Sequence, residues 1–312
     1  MTNPSYDIEK VYKEFVTISG YFEVGNNGQL TVNQKYANLI DKYCDYGNKS
    51  GKGNCSDHFQ MVSSGVINLL KDLKNKHHLE DDKLAEYAIL WLCYILKLYL
   101  KDKLTNLSEF YTNYIEKNKC YNDKINGDNG PTYKAIIDKK KKLMDNNEIS
   151  KFNDIFNILY FLYYEISDKH PDCNTNLKSA NDFAKEFKKL NEDSNHIIDS
   201  PFSQILSTLS DDYNNLQKKC TKFPSIQELK PKKSSAEKSA KGDEQITLQT
   251  LEGTSSSSST LNTVIPVLST FAIPVFLGVA YKYSLFGFDK LFQRQYLRNK
   301  LKKVKNKMEL NI

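Results

Sequence analysis

Apolar residues recur at helical steps along most of the first 220 residues. From Ser56 onward, Phe59, Val62, Val66, Leu69, Leu70 and Leu73 fall three or four apart, predicting an amphipathic helix that ends between Lys74 and His78. His77 and His78 are then expected as solvated loop residues. The next run, LAEYAILWLCYILKLYL from Leu84 to Leu100, is apolar nearly all round. Its length, with Glu86 and Lys97 inside it, predicts a central core helix rather than a membrane span. Further helices are predicted over 107–119, 133–144, 152–166, 176–190 and 201–220. Between them stand helix-breaking clusters: Asn-Gly-Asp-Asn-Gly-Pro at 126–131, His170-Pro171-Asp172 and Asp199-Ser200-Pro201. No window alternates with the period of a strand. Residues 1–224 therefore read as one all-α domain, large enough to bury a core unaided. The 20 Tyr and 16 Phe are read as packing in the core and at helix seams.

The pattern changes twice after that. Residues 225–260 hold almost no large apolar side chains and end in a serine run, the composition of a flexible stalk. Leu261 to Tyr281, LNTVIPVLSTFAIPVFLGVAY, then carries no charged side chain. At about 1.5 Å per residue it reaches roughly 31 Å, the thickness of a bilayer's hydrocarbon core. Pro266 and Pro274 each remove a backbone donor, which membrane helices tolerate better than soluble ones. The expectation is a single transmembrane helix.

Charge orients that helix. Residues 282–312 carry Lys282, Lys290, Arg294, Arg298, Lys300, Lys302, Lys303, Lys305 and Lys307 against Asp289 and Glu309, a net +7. The positive-inside rule predicts a cytoplasmic basic tail at 282–312 and an extracytoplasmic N-terminal domain. The whole chain is +6, so everything before the tail is close to neutral. The basic balance is thus no nucleic-acid footprint, and no nucleic-acid partner is expected. Membrane lipid is the partner that a juxtamembrane cluster of lysines suits. The N-terminus lacks the basic and apolar regions of a secretory signal, so the span itself is expected to direct export.

Cysteine usage points the same way. Cys44, Cys55, Cys93, Cys120, Cys173 and Cys220 are even in number and all precede the span, which suits an oxidising compartment and up to three disulfides. A Cys44–Cys55 bridge closing the Gly- and Asn-rich loop between them is plausible from the turn composition. Zinc is not expected, because Cys44, Cys55 and His58 lack close paired ligands. Gly47, Gly51 and Lys52 fail as a phosphate loop: three residues, not four, separate the glycines, and Gly53 follows the lysine. Neither a His-Glu-x-x-His helix nor a Gly-x-Ser-x-Gly elbow occurs, and the chain is not expected to be an enzyme or to need a cofactor or metal. Asp81-Asp82 and Asp211-Asp212 are read as helix-start or solvated acids. The sequons at Asn48, Asn54 and Asn106 permit glycosylation of an exported domain.

Several long stretches carry a family resemblance. KYCDYGNKSGKGNC at 42–55, YAILWLCYILKL at 87–98, NLSEFYTNYI at 106–115, IDKKKKLMD at 137–145, PDCNTNLKSANDFAKEFKKLNEDSN at 171–195 and ILSTLSDDYNNLQKKC at 205–220 resemble the Plasmodium interspersed repeat (PIR) proteins of malaria parasites, of cir, yir, bir and vir type. LFGFDKLFQRQYLRNKLKKVK at 285–305 is similar to that family's cytoplasmic end. The resemblance implies a variant surface antigen on the infected red cell or parasite-associated membranes, acting in immune evasion or adhesion. The implied partners are host cell-surface receptors or antibodies. A scaffold organising parasite-made membranes is the alternative. The family commonly has a cysteine where this chain reads KVYKEF at 10–15 and another near Leu159–Tyr163, so its disulfide map does not transfer. A hairpin of helices 84–103 and 107–119 would bring Cys93 near Cys120 and leave Cys173 with Cys220, one of fifteen pairings.

Overall fold

Asp7 accepts a hydrogen bond from the Glu9 amide and opens the first helix, α1 (Ile8–Ser19), whose Ile8, Val11, Tyr12, Phe15 and Ile18 form one buried face. The computed structural model describes residues 6–24, 30–47, 52–99, 106–145, 148–166 and 172–233. These all fall within one unit, Met1–Gly242. The expected span at Leu261–Tyr281, the basic tail and most of the stalk lie outside the described residues. Among the described residues, no helix is long and apolar enough to cross a membrane.

A short antiparallel hairpin follows α1, which the lack of strand periodicity did not predict. Strands β1 (Phe22–Val24) and β2 (Leu30–Val32) pair Phe22 with Val32 and Val24 with Leu30. Three residues per strand are too few to register as alternation. The hairpin is held by packing: Phe22 lies against Gly65 and Trp91.

Helix α2 (Ala37–Asp41) leads into the first disulfide loop, and the two long core helices come next. α3 (His58–His77) starts at Asp57, whose carboxylate accepts from the Gln60 amide at 2.8 Å, and ends at His78 in the left-handed conformation, φ 54°. α4 (Asp81–Tyr99) has Asp81 and Asp82 in its first turn, where carboxylates complement the helix dipole. Every residue from Leu84 to Leu96 is buried. α4 is the centre of the molecule, packed by α3 on one side and by later helices on others.

The region expected as one helix over 107–119 is broken. α5 (Leu107–Phe110) passes into a wide π-type turn at Tyr111–Ile115 and then a tight turn at Lys119–Asn122. The Tyr114 carbonyl there accepts from the Tyr46 hydroxyl at 3.0 Å and the Ser63 hydroxyl at 2.8 Å. The expected helix 133–144 is likewise split into α6 (Tyr133–Asp138) and α7 (Lys142–Asp145). At the break Lys139 turns toward Asp81 and Asp82, Lys140 toward Glu86 and Gln204, and Lys141 lies over the Tyr111 ring.

The remaining helices match their expected bounds within a residue or so: α8 (Asn153–Ile166), α9 (Leu177–Asn191) and α10 (Pro201–Lys219). α8 packs on α1, α4, α9 and α10 and closes the bundle. Beyond α10 the chain does not leave as a stalk at residue 225. Residues 225–233 lie as a strap along α9 and α10. The Lys232 amide donates to the His196 carbonyl at 2.7 Å, the Ile198 amide to the Lys232 carbonyl at 3.0 Å, and Asn191 bonds Glu228 and Lys230. Ile226 and Leu229 pack against the core, so the ordered domain reaches Lys233.

Candidate functional site

Two disulfides staple the helical domain. Cys44 and Cys55 are bridged with their Cα atoms 5.3 Å apart, as the turn composition between them suggests. The bridged loop is clamped on both sides. The Gly53 amide donates to the Cys44 carbonyl at 2.9 Å and the Lys119 amide to Asp45 at 2.8 Å. Asn118, fully buried, donates to the Tyr43 carbonyl at 2.8 Å and accepts from the amides of Asp45 and Cys120. Lys52 pairs with Asp123 at 3.8 Å on the surface.

The second bridge, Cys173–Cys220, spans 5.5 Å between Cα atoms and ties the start of α9 to the end of α10. Next to it Lys222 donates to Asn174 at 3.0 Å. Asp172 accepts from the side chain and amide of Thr175, which hold its carboxyl below the usual range.

The third bridge does not exist. Cys93 and Cys120 are both buried free thiols. The segment after α4 is not the straight partner helix that such a pairing needed. Cys93 faces Asn153 at the start of α8, whereas Cys120 sits in the tight turn beside Asp123 and Lys52. Burial pushes the Cys93 thiol up to about 11 against the hydrogen bond from Asn153, and raises Cys120 as well. Thiols held protonated in this way are poor nucleophiles.

His77 and His196 both contact other parts of the fold. His77, expected in solvent, is the last residue of α3 and sits 3.2 Å from Glu14 of α1. His196 is fully buried with Nδ1 3.1 Å from the Asn191 carbonyl. Among the described residues no group of His, Cys, Asp or Glu is placed to hold a metal. Of the sequons, Asn106 is exposed and caps α5 by accepting from the Glu109 amide at 2.7 Å.

Two buried acids form the polar centre, and sequence reasoning placed one of them wrongly. Glu86 is 3 % exposed and pairs with Lys83 at 2.9 Å and Lys140 at 3.1 Å. Burial alone would raise its carboxyl, but Lys83, then Lys140 and Thr208, outweigh it and hold the group below its ordinary value. Asp212, read as solvated, is buried among Tyr12 of α1, Tyr87 of α4 and Tyr163 of α8. A signal for it existed: Ile205, Leu209, Asp212 and Leu216 are spaced by four, three and four, which sets the acid in an apolar stripe.

Residues 12–282 match the family described as Plasmodium variant antigen protein Cir/Yir/Bir. The chain belongs to that family of Plasmodium variant antigens. The Cir/Yir/Bir match is not confined to the helical domain but continues through Leu261–Tyr281. Among solved structures, a Plasmodium PIR protein ectodomain is 32 % identical, with 73 % of this chain and 99 % of that one covered and a TM-score of 0.55. None of the curated proteins matches this Cir/Yir/Bir member.

Proposed function

We propose that the chain is a single-pass membrane antigen that presents its helical, disulfide-bonded domain to host surface receptors or antibodies, and that it works by immune evasion or adhesion rather than by catalysis. The observation that carries this reading is the family match over residues 12–282. It is supported by the sequence downstream: an uncharged 21-residue run followed by nine basic residues, which together suit a span and a cytoplasmic anchor on anionic lipid. The two bridges suit a domain exposed to an oxidising side.

Protease treatment of intact infected red cells tests it. The expected result is loss of the N-terminal domain with a protected fragment containing residues 282–312. A domain that resists protease until the red cell membrane is opened would overturn host-facing display. Capture of a cytoskeletal protein by the tail in those same cells would favour the scaffold reading instead.

A further inference from the structure

Asp212 lies midway along α10, 4 % exposed, where three other helices converge. The Tyr12 hydroxyl of α1 donates to Oδ2 at 3.0 Å, and the Tyr87 hydroxyl of α4 lies 2.9 Å from Oδ1 and 3.2 Å from Oδ2. The Tyr163 hydroxyl of α8 donates to the Asp212 carbonyl oxygen at 2.7 Å, and its ring stacks on that of Tyr12 at 4.1 Å. Tyr6, ahead of α1, reaches the Tyr87 hydroxyl at 3.4 Å.

Among the described residues no lysine or arginine forms an ion pair with this carboxyl. The charged groups around the cluster are Lys83 and Glu86 of α4, Asp211 beside it on α10, and Asp7 and Glu9 at the start of α1, with acids in the majority. A carboxylate this deep has only hydroxyl donors to replace its hydration, so its neutral form is favoured. The network accommodates the extra proton, because each tyrosine oxygen accepts as well as donates.

We propose that Asp212 and the tyrosines around it are a proton-linked clasp, holding α1 on the bundle more firmly in mildly acidic than in neutral surroundings. Burial pushes the carboxyl up to about 7, against the hydrogen bonds from Tyr87 and Tyr12. The folded chain therefore keeps a proton that the unfolded chain releases near 3.8, and stability falls as pH rises between those values and is level above them.

Trp91, the one tryptophan of the chain, reports on the clasp, since its Nε1 donates to Ser19 at the end of α1 at 3.1 Å. The experiment is urea unfolding of the full chain in nonionic detergent, followed by Trp91 fluorescence, for the wild type and Asp212→Asn at pH 5 to 8. The folding constant of the wild type relative to the variant is expected to fall about tenfold per pH unit from 5 to 7 and then level. Effects of groups common to both proteins cancel in this ratio. A ratio independent of pH overturns the clasp. If Asp212→Asn does not fold, Tyr12→Phe decides: with one donor fewer for the carboxylate, the levelling must move to higher pH, and a levelling point that is unchanged or lower overturns the proposal.

Discussion

Gly65 has little room for a side chain. A Cβ there would lie 3.0 Å from both Phe22 Cζ and Trp91 Cη2, tighter than nine in ten real Cβ contacts, so both rings would have to shift by a few tenths of an ångström. Gly65→Ala is expected to destabilise by about 1–3 kcal/mol, the cost of overpacking a closed core, read as a lower urea midpoint by Trp91 fluorescence. The gain in helix propensity from alanine, about 1 kcal/mol, offsets part of that cost, and a midpoint at or above wild type would show that Phe22 and Trp91 shift without penalty. Glu86 supplies a second residue-scale test. Its lowered carboxyl means that its ion pairs stabilise the fold above its ordinary value, and that this stability is lost as pH falls below that value and through the lower value of the folded chain. Glu86→Gln should cost roughly 1–3 kcal/mol at pH 7, and the gap to wild type should close as acid unfolding is followed below pH 4. Glu86 on α4 and Asp212 on α10 are similarly buried acids on two helices that touch. Burial raises both carboxyls; the lysines beside Glu86 outweigh it, whereas the hydroxyl donors at Asp212 only oppose it in part.

Among the elements, caps set where helices start. Asp57 satisfies the Gln60 amide at the first turn of α3, and Asp57→Ala is expected to cost about 1 kcal/mol, measured as the change in thermal midpoint with the disulfides intact. The strap has larger consequences. A chain ended at Pro224 would strip Asn191, His196 and Ile198 of four hydrogen bonds, roughly 4 kcal/mol at about 1 kcal/mol each, whereas one ended at Lys233 keeps them. The check is the urea midpoint of the two truncated chains side by side; equal midpoints would mean the strap is decoration. The long helices were legible because their apolar stripes run for many turns: α3, α4, α8, α9 and α10 fall close to where periodicity puts them. α1 carries the same signal, since Ile8, Val11, Tyr12, Phe15 and Ile18 recur at three- and four-residue steps. The strap and the breaks at Tyr111–Ile115 and 139–141 were not. Each is decided by partners far along the chain, Asn191 and His196 for the strap, Tyr46 and Ser63 for Tyr114, Glu86 and Gln204 for Lys140, and no local pattern encodes a partner.

At the scale of the whole molecule, the cysteines divide into two populations that an experiment on the intact chain can count. All six precede the expected span, and the structure bridges four of them and buries the other two in separate parts of the core. With the full chain in detergent, a thiol reagent at neutral pH should label almost none in the native state, because Cys93 and Cys120 are both buried and held protonated. Two should react on denaturation without reductant, and six after reduction. A count of zero in the denatured, unreduced chain would mean a third bridge and would overturn this pairing. The bridges should also differ in worth. On the loop-closure view Cys173–Cys220, 47 residues apart, contributes about 4 kcal/mol and Cys44–Cys55, 11 apart, about 3 kcal/mol. Replacing each pair by serine should therefore lower the urea midpoint more for the longer loop. The shorter bridge has more help than the longer one, which has the exposed Lys222–Asn174 bond beside it: Asn118, Lys119 and Tyr46 clamp its loop to the segment at 114–120, so part of its constraint survives without sulfur. The loop after Cys44 is thus held by a bridge and a buried asparagine together, and the α9–α10 junction chiefly by covalent closure of a long loop. Reduction should accordingly loosen the α9–α10 end first, and hydrogen exchange after mild reductant should rise at residues 172–180 and 216–224 before it rises at 42–47.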